Sequence, residues 1–336
     1  MPDYSGSYAT PRADLGEALI EYRRENGGNW IGTKILPTID VMKKSATFSV
    51  FTRASILQVA DVKRAPRGRY NRIESEVKDF TYNCQNYGME GAVDDSEREL
   101  YSSDFDADFT CLTVVERVVR LAQEQRISAL VFGTSTVAAA GMNTNYTDNS
   151  SAAPWTSFGT DIYGQILDAK ETSRRLTGML PNTIAVNRPV WNLMKKNTAL
   201  SSKFKFPNAA ARGREAGIQT DQLVEEEMRA LFGVEQILIG DEVYNAATEL
   251  NPNSPMESVT DVWVKEYCLV LYACKLGSSL SEPCLGRTAV WVEFAGDFEV
   301  QSYREEKIES DIVRCKHFVQ EFIRDQSYGT LIKVQT

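Results

Sequence analysis

Carboxylates crowd one short stretch of the chain, MEGAVDDSERELYSSDFDADF at residues 89–109. Only one basic side chain, Arg98, accompanies the acidic residues, which are Glu90, Asp94, Asp95, Glu97, Glu99, Asp104, Asp106 and Asp108. Carboxylates at this density can bind hard cations, act as catalytic acid pairs, cap helices or pair with basic residues of another subunit. The rest of the sequence has to discriminate among these four kinds of site.

Metal binding is not favoured by the pattern. A calcium loop of the EF-hand kind needs acids at positions 1, 3, 5 and 12 and a glycine at position 6. DFDADFTCLTVV, residues 104–115, has the first three acids but neither the glycine nor the final acid. Zinc needs about four cysteine or histidine ligands in close pairs. The cysteines (Cys84, Cys111, Cys268, Cys274, Cys284 and Cys315) contain no CxxC spacing. We therefore expect no metal and no cofactor.

Catalysis is also poorly supported. The one histidine, His317, lies in the strand-like segment CKHFVQEF with no serine nucleophile motif nearby, so we expect a structural or solvent-facing role. No GxGxxG, GxxxxGK[ST] or GxSxG motif occurs in the chain. An acidic soluble enzyme that uses Asp94 and Asp95, or the acids from Asp104 to Asp108, is kept as an alternative. The prediction is that the protein is not an enzyme.

Composition sets the broad class. Hydrophobic residues at 43% and charged residues at 25% are ordinary values for a globular protein, and 336 residues suggest about two domains. The longest apolar run, Tyr267 to Cys274, is far shorter than a membrane span, and the polar N-terminal stretch predicts no signal peptide. The net charge of −9 argues against general nucleic-acid binding, which requires basic residues to neutralise phosphates.

A basic segment precedes the acidic stretch. ATFSVF at 46–51 and SEVKDFTYN at 75–83 alternate apolar and polar residues as strands do. Between them DVKRAPRGRYNRIE holds five basic residues, named here the basic tip: Lys63, Arg64, Arg67, Arg69 and Arg72. We predict a long two-stranded excursion with a turn-rich basic end. A solvated loop is the alternative.

The acidic stretch leads into a long predicted helix. Apolar residues three or four apart between Phe109 and Leu130 form one stripe and predict a helix from about 106 to 132, roughly 40 Å long. Ser96 to Glu99 matches the S-x-x-E capping box of a shorter helix before it. Capping and the helix dipole account for about half of the acids. The other acids must face something else.

The second half of the chain predicts mixed structure. A polar, turn-rich loop at 134–159 is followed by alternating helices and strands, including the helix RPVWNLMKKN and the strands NTIAVN, VEQILIG, DVWVKEYCLVLYAC, RTAVWVEF, DIVRCKHFVQEF and GTLIKVQ. The predicted fold class is α+β.

Seven segments, in order along most of the chain, resemble tailed-phage major capsid proteins of the Hong Kong ninety-seven type. They are RAPRG at 64–68, CQNYGMEGAVDDSER at 84–98, AQEQRISALVF at 122–132, LPNTIAVNRPVW at 180–191, LFGVEQILIGDEVYN at 231–245, EPCLGRTAVWVE at 282–293 and SDIVRCKH at 310–317. The resemblance implies an N-terminal arm (1–45), an extended loop (46–82), a peripheral domain with a long spine helix (83–133 and 298–336) and an axial domain (134–297).

The resemblance also implies a function. Capsid proteins of this type self-assemble into pentamers and hexamers of an icosahedral shell that encloses phage double-stranded DNA. The expected partners are copies of the chain itself, scaffolding and portal proteins and sometimes decoration proteins, with packaged DNA nearby only non-specifically and no membrane. The expected location is the virion, after assembly in the host cytoplasm. An encapsulin-like nanocompartment shell is the alternative within this fold.

Complementary charge suggests where subunits touch. We predict that the basic tip meets an acidic strip on a neighbouring subunit, formed by Asp94, Asp95, Glu97 and Glu99. Exposed ion pairs contribute only ~0.2–1 kcal/mol each, so their main effect is on specificity and register.

Overall fold

The computed structural model describes residues 10–11, 15, 30–52, 55, 57–59, 61–64, 66–73, 75–101, 106–133, 142, 145–201, 203, 221–246, 259–275, 279–292 and 298–335. Within these ranges the helices are α1 (Gly32–Ile35), α2 (Asp95–Tyr101), α3 (Ala107–Val131), α4 (Ile162–Thr177), α5 (Arg188–Lys196), α6 (Thr198–Ser201) and α7 (Asp221–Phe232). The strands are β1 (Thr10–Pro11), β2 (Thr38–Val41), β3 (Ser45–Phe51), β4 (Val77–Asn83), β5 (Gln85–Asp94), β6 (Tyr146–Asp148), β7 (Thr183–Asn187), β8 (Gln236–Gly240), β9 (Val243–Asn245), β10 (Val259–Asp261), β11 (Tyr267–Leu271), β12 (Gly286–Trp291), β13 (Glu299–Glu305), β14 (Ser310–Ile323) and β15 (Gly329–Lys333).

The first sheet is built around the long strand β14. Antiparallel β5 runs along one edge of β14, from Asp94 opposite Ser310 to Gln85 opposite Val319. Antiparallel β13 and β12 follow one another along the other edge. β1 pairs with β13, and β2 pairs in parallel with β12. The N-terminal half of α3 packs on this sheet through Leu112 and Val115.

The second sheet has the order β6-β15-β11-β7-β8. Every residue of β7 and β11 is buried, which requires cover on both faces. On one face α4, α5 and α7 pack around Trp191 and Phe232. The C-terminal end of α3 contributes Ile127 and Val131 to a second cluster with Trp263, which also includes the sheet residues Ala185 and Leu269. Helix α3 therefore contributes to the cores of both sheets.

A separate hairpin joins β3 and β4, in register from Ser45 opposite Asn83 to Phe51 opposite Val77. The two-stranded excursion predicted from the sequence is therefore present. Its inner face packs on the first sheet through Phe48, which stacks on Phe80 with the ring centroids 5.9 Å apart.

A local signal fixes the start of the long helix. The carboxylate of Asp106 accepts hydrogen bonds from the backbone N–H groups of Asp108 and Phe109, at 3.0 and 3.2 Å. This is an N-cap, because it satisfies donors that the first turn leaves without a partner. The predicted limits of 106 and 132 therefore differ from those of α3 by one residue at each end.

Two element predictions were wrong. Within the predicted loop 134–159, strand β6 pairs in parallel with β15. The predicted strand DVWVKEYCLVLYAC is interrupted by a turn at Lys265 and Glu266, so that β10 pairs with β9 in a hairpin and β11 alone enters the second sheet. None of the described helices combines the length and apolar character that crossing a membrane requires.

Candidate subunit-contact surface

Helix α2 holds the middle of the acidic stretch and follows directly after β5 of the first sheet. The carboxylate of Asp94 accepts a hydrogen bond from the backbone N–H of Ser96 at 2.8 Å and another from the Ser96 hydroxyl. The helix begins at Asp95, so Ser96 lies inside its first turn. The predicted capping box with Ser96 as the cap is therefore wrong. Asp94 is the N-cap, because its carboxylate accepts the hydrogen bond of the Ser96 N–H in the first turn.

Asp95 is held by a basic residue far away in the sequence. Arg304 on β13 donates two hydrogen bonds to its carboxylate, at 2.7 and 2.6 Å. These bonds lower the pKa of Asp95 and raise the pKa of Arg304. Two parallel N–H···O bonds between guanidinium and carboxylate fix the geometry as well as the charge. The pair therefore ties α2 to the first sheet.

Arg98, the one base of the acidic stretch, is a bridge. Its guanidinium contacts Asp108 at the start of α3 and Asp311 on β14, both at 2.6 Å. Asp311 also lies 3.4 Å from Arg304. The pKa of Arg98 is raised, first by its hydrogen bond with Asp311 and then by that with Asp108. These contacts join α2, α3 and the first sheet in one network.

Replacing Arg98 by methionine is expected to lower the free energy of unfolding by about 1 kcal/mol, because two partly exposed ion pairs are lost while the aliphatic stem is kept. Chemical denaturation at low and high salt measures the loss, which should shrink when salt screens the pairs. Arg175→Met is the matched control, since Arg175 is 75% exposed in its pair with Glu171. Equal losses in both variants would contradict the bridging role.

Glu90 lies on β5 opposite Arg314, on the other face of the first sheet from Asp311. Its carboxylate accepts hydrogen bonds from Arg314 on β14 and from the Tyr303 hydroxyl on β13, at 2.5 and 3.1 Å. Glu90, Asp95, Asp106 and Asp108 are thus engaged within the chain. Sequence reasoning missed Arg304 and Arg314 as their partners. The alternating charges of SYREEKIESDIVRCK, residues 302–316, were a signal for a hairpin that could supply such partners.

The structure places the acidic strip on and just before α2. Asp95 and Glu99 are exposed and Asp94 is half-buried, while the side chain of Glu97 lies outside the described part of the structure. Asp94 and Asp95 also have roles inside their own chain. The proposed contact with the basic tip would therefore add to the ion pair that Asp95 already makes with Arg304. Glu99 is an acid of the strip with a different position, because Asp94 is the cap of α2 and Asp95 is the partner of Arg304.

The basic tip projects from the β3–β4 hairpin with all five of its cationic side chains exposed. Arg64 stays local, donating to the Gly68 carbonyl at 2.7 Å and lying 4.5 Å from the Tyr70 ring centroid. Arg67 occupies the left-handed region with φ 63°, which makes the turn tight. None of the five forms an ion pair with a described acidic residue.

Large apolar side chains surround the basic tip and face solvent in the isolated chain. Val59 is 100% exposed, Val62 90%, Tyr70 74% and Ile73 59%. Several exposed apolar groups on one projecting loop are typical of a surface that another protein covers. The tip therefore combines unpaired positive charge with uncovered apolar area.

His317 is buried within the first sheet. Its ring stacks on Phe298 at 4.7 Å and meets the edge of Tyr87 at 6.1 Å, and neither ring nitrogen has a hydrogen-bond partner. Burial, with Arg126 and Arg120 nearby, lowers the pKa of His317 to about 3. The neutral ring packs as an aromatic group. Of the two predicted roles, the structural one is therefore correct.

The other candidate chemical groups do not assemble into a site. None of the six cysteines forms a disulfide, and four of them are buried. Among the residues that the structure describes, no three histidine, cysteine or acidic side chains are placed to hold a metal ion. Cys268 is fully buried, and burial raises the pKa of its thiol strongly, which keeps it protonated and unreactive.

Comparisons with known proteins agree with this picture. No family model matches the chain. The major capsid protein of Burkholderia phage BcepMu is 24% identical over 255 residues, which cover 76% of this chain and 75% of that protein. The crystal structure of a phage-related protein from Bordetella bronchiseptica RB50 matches with a TM-score of 0.67 and 21% identity, covering 97% of this chain and 98% of that one. The mature capsid of bacteriophage PhiM1 matches with a TM-score of 0.52 and 15% identity, covering 88% and 84%.

These likenesses define the class: the chain has the fold of phage capsid subunits. The resemblance to tailed-phage major capsid proteins that the sequence motifs indicate is confirmed. The α+β fold class is confirmed with it.

Proposed function

We propose that the chain is the structural major capsid protein of a tailed phage, which self-assembles into pentamers and hexamers of an icosahedral shell around double-stranded DNA. The observation that carries the proposal is the similarity, over three quarters of both chains, to a protein named a major capsid protein. The fold match over nearly the whole chain supports it. In this role the chain is not an enzyme.

The proposed division of the chain follows the sequence prediction. The arm is 1–45, the extended loop 46–82, the peripheral domain 83–133 with 298–336, and the axial domain 134–297. The projecting β3–β4 hairpin with its exposed apolar tip supports an extended loop that lies on a neighbour. Two strands tie the larger domains together, because β12 belongs to the first sheet and β15 to the second.

The proposed partners are copies of the chain, scaffolding and portal proteins and possible decoration proteins, with assembly in the host cytoplasm and a final place in the virion. The net charge of −9 supports a shell lining that repels packaged DNA rather than binding it. The same charge supports a shell that encloses phage DNA without binding it.

Electron microscopy of particles purified from expressing cells tests the function. We expect closed shells with five-fold and six-fold clusters of subunits. A discrete small oligomer as the end state would overturn the proposal. When phage packaging proteins are supplied, nuclease-resistant double-stranded DNA inside the shells is the expected result. Shells that fill only with a specific cargo enzyme would instead support the encapsulin-like alternative.

We also propose that the basic tip binds the acidic strip of an adjacent subunit. Around α2 the acids Asp94, Asp95, Glu97, Glu99, Asp108 and Asp311 outnumber the bases Arg98 and Arg304. The excess negative charge supports a basic partner, and the tip has no ion pair among the described residues of its own chain. Exposed pairs are individually weak, but each subunit contributes one such contact.

Reversing Arg67 and Arg69 to glutamate is expected to impair shell assembly and to leave the unfolding of the free subunit nearly unchanged, because both side chains are exposed. Light scattering during assembly measures the effect. Adding Glu99→Lys should restore part of the assembly, since every subunit offers both partners. Asp94 and Asp95 are unsuitable for this rescue because they hold α2 in place.

The matched control reverses Lys265 and Lys307, two exposed bases outside the tip. Assembly of the control should match that of the wild type, and added salt should weaken wild-type assembly because exposed charges are screened within ~8 Å. Normal assembly of the Arg67 and Arg69 double variant, or no rescue by Glu99→Lys, would contradict the proposed contact between the basic tip and the acidic strip.

A further inference from the structure

A half-open cleft lies beneath the β3–β4 hairpin, outside the surface described above. Its volume is about 500 Å³. The hairpin supplies one wall, and the segments before β12 and after β14 supply the other. The lining residues are Val50, Phe51, Thr52, Lys78, Phe80, Ser281, Pro283, Arg324, Asp325 and Tyr328.

Apolar groups dominate the walls of the cleft. Val50 is directly opposite Lys78 in the hairpin register, so both lie on the face that carries Phe80. Pro283 and Tyr328 line it as well. A space of this size with such walls accommodates one or two side chains and excludes a folded domain. It is suited to an inserted side chain with an aliphatic stem.

Two cationic side chains line the same cleft. The Nη1 atom of Arg324 is buried and has no hydrogen-bond partner. Lys78 is exposed, and its Nζ lies 5.2 Å from the Phe80 ring centroid. The acid of the lining, Asp325, accepts a hydrogen bond from the backbone N–H of Ser327 at 3.0 Å. A buried guanidinium donor without an acceptor costs free energy, which a bound acceptor would recover.

We propose that this cleft receives a carboxylate side chain from a second copy of the chain, which binds Arg324 inside and Lys78 at the rim. The inference rests on the proposed function, because only assembly brings copies together. Charge complementarity identifies the partner: the subunit has a net charge of −9, so its surface is rich in carboxylates, whereas the buried Nη1 donor of Arg324 has no acceptor among the described residues.

The chemistry favours a carboxylate over a phosphate. A carboxylate on an aliphatic stem places its methylene groups against the apolar walls and its two oxygens toward the guanidinium. A phosphate dianion would bring a second negative charge into a mostly apolar space that already holds Asp325. The fit is therefore to glutamate or aspartate on a protein segment.

Carbodiimide cross-linking tests the inference, because this reagent joins an amine to a carboxylate that is in contact with it. Shells are assembled from equal amounts of unlabelled and ¹⁵N-labelled subunits and are then treated, digested and analysed by mass spectrometry. We expect Lys78 to be linked to an aspartate or glutamate in peptide pairs of mixed isotope, and we expect this link to be absent from free subunits. Lys78→Arg, which keeps the charge but lacks the amine, should assemble without the link.

Variants give a second readout. Arg324→Gln is expected to raise at least tenfold the subunit concentration needed for half-maximal assembly, while Lys307→Gln, a surface control, leaves it unchanged. The unfolding of the free Arg324→Gln subunit is measured in parallel, so that a folding defect is recognised and the cross-link then decides.

Shells without a Lys78 link, or with a link only to the same chain, would overturn the inference and leave the proposed function standing. Wild-type assembly of a folded Arg324→Gln variant would do the same. If no shells form at all, both proposals fail together.

Discussion

Replacing Glu124 by alanine is expected to lower the free energy of unfolding of the free subunit by about 3–5 kcal/mol at pH 5.5. Glu124 lies on α3 and is 2% exposed. Its carboxyl oxygens accept hydrogen bonds from the backbone N–H of Gly32, at 2.8 Å, and from the indole N–H of Trp263, at 3.0 Å. The substitution leaves a cavity and two buried donors where α1, α3 and the second cluster meet.

The loss should depend on pH in a defined direction. Burial raises the pKa of Glu124 from 4.5 to about 7, so the folded state holds a proton that the unfolded state releases above pH 4.5. Stability from this group is therefore present at low pH and is lost as pH rises through 7. The difference between wild type and Glu124→Ala should shrink by on the order of 3 kcal/mol between pH 5 and pH 8.

Chemical denaturation at several pH values measures both effects. Glu171→Ala serves as the control, because Glu171 is an acid on the surface of α4 whose pKa is lowered to about 2 by its bonds to Arg174 and Arg175. This control should show a small loss that does not vary between pH 5 and pH 8. A loss below about 1 kcal/mol for Glu124→Ala at pH 5.5, less than one buried hydrogen bond is worth, would show that Glu124 does not join these segments.

Replacing His317 by phenylalanine is expected to remove the acid sensitivity that this residue gives the fold. The folded-state pKa of about 3 lies below the ordinary value of 6.5, so unfolding takes up a proton at pH values between them. Stability from the neutral ring is present above pH 6.5 and is lost as pH falls toward 3. At pH 5 the loss in the wild type amounts to about 2 kcal/mol.

The pH slope of stability between 5 and 8 is the measurement for this variant. Phenylalanine keeps the stacking on Phe298 and the edge contact with Tyr87, and it removes two buried nitrogens without partners. Its absolute stability also includes a packing cost, so the slope and not the midpoint is compared. An unchanged slope would contradict burial of a neutral ring. Between pH 4.5 and 6.5 the two groups act in opposite directions, because Glu124 makes stability fall with rising pH and His317 makes it rise. In the wild type the two slopes partly cancel. Each single variant should therefore show a steeper dependence of stability on pH than the wild type.

The sequence predicted the elements that local patterns determine. The apolar spacing of α3 and the Pro189 at the start of α5 fixed those helices within a residue or two, because periodicity and caps involve neighbours along the chain. The same pattern did not reveal that Glu116, Gln123, Glu124 and Ser128 are also buried on α3. A buried polar residue depends on donors and acceptors that arrive from distant segments.

The candidate site divides in the same way. The exposure of the basic tip followed from its turn residues and charge, and the structure has it exposed. The ion pair between Arg304 and Asp95 could not be predicted from the sequence, because 209 residues separate the two. Only the register of β5, β14 and β13 brings them together. The surface proposed to contact the tip belongs to another copy of the chain, so this pairing stays a prediction.

The position of β14 and β15 has a consequence for the order of events during synthesis. Both strands come from residues 310–333, yet β14 is paired on both edges in the first sheet and β15 lies between β6 and β11 in the second. Neither sheet can close until residues 310–333 have been synthesised, and such distant pairings form slowly. A chain cut short before residue 310 is therefore expected to leave both sheets unfinished and to lack the surfaces that the proposed neighbours would contact.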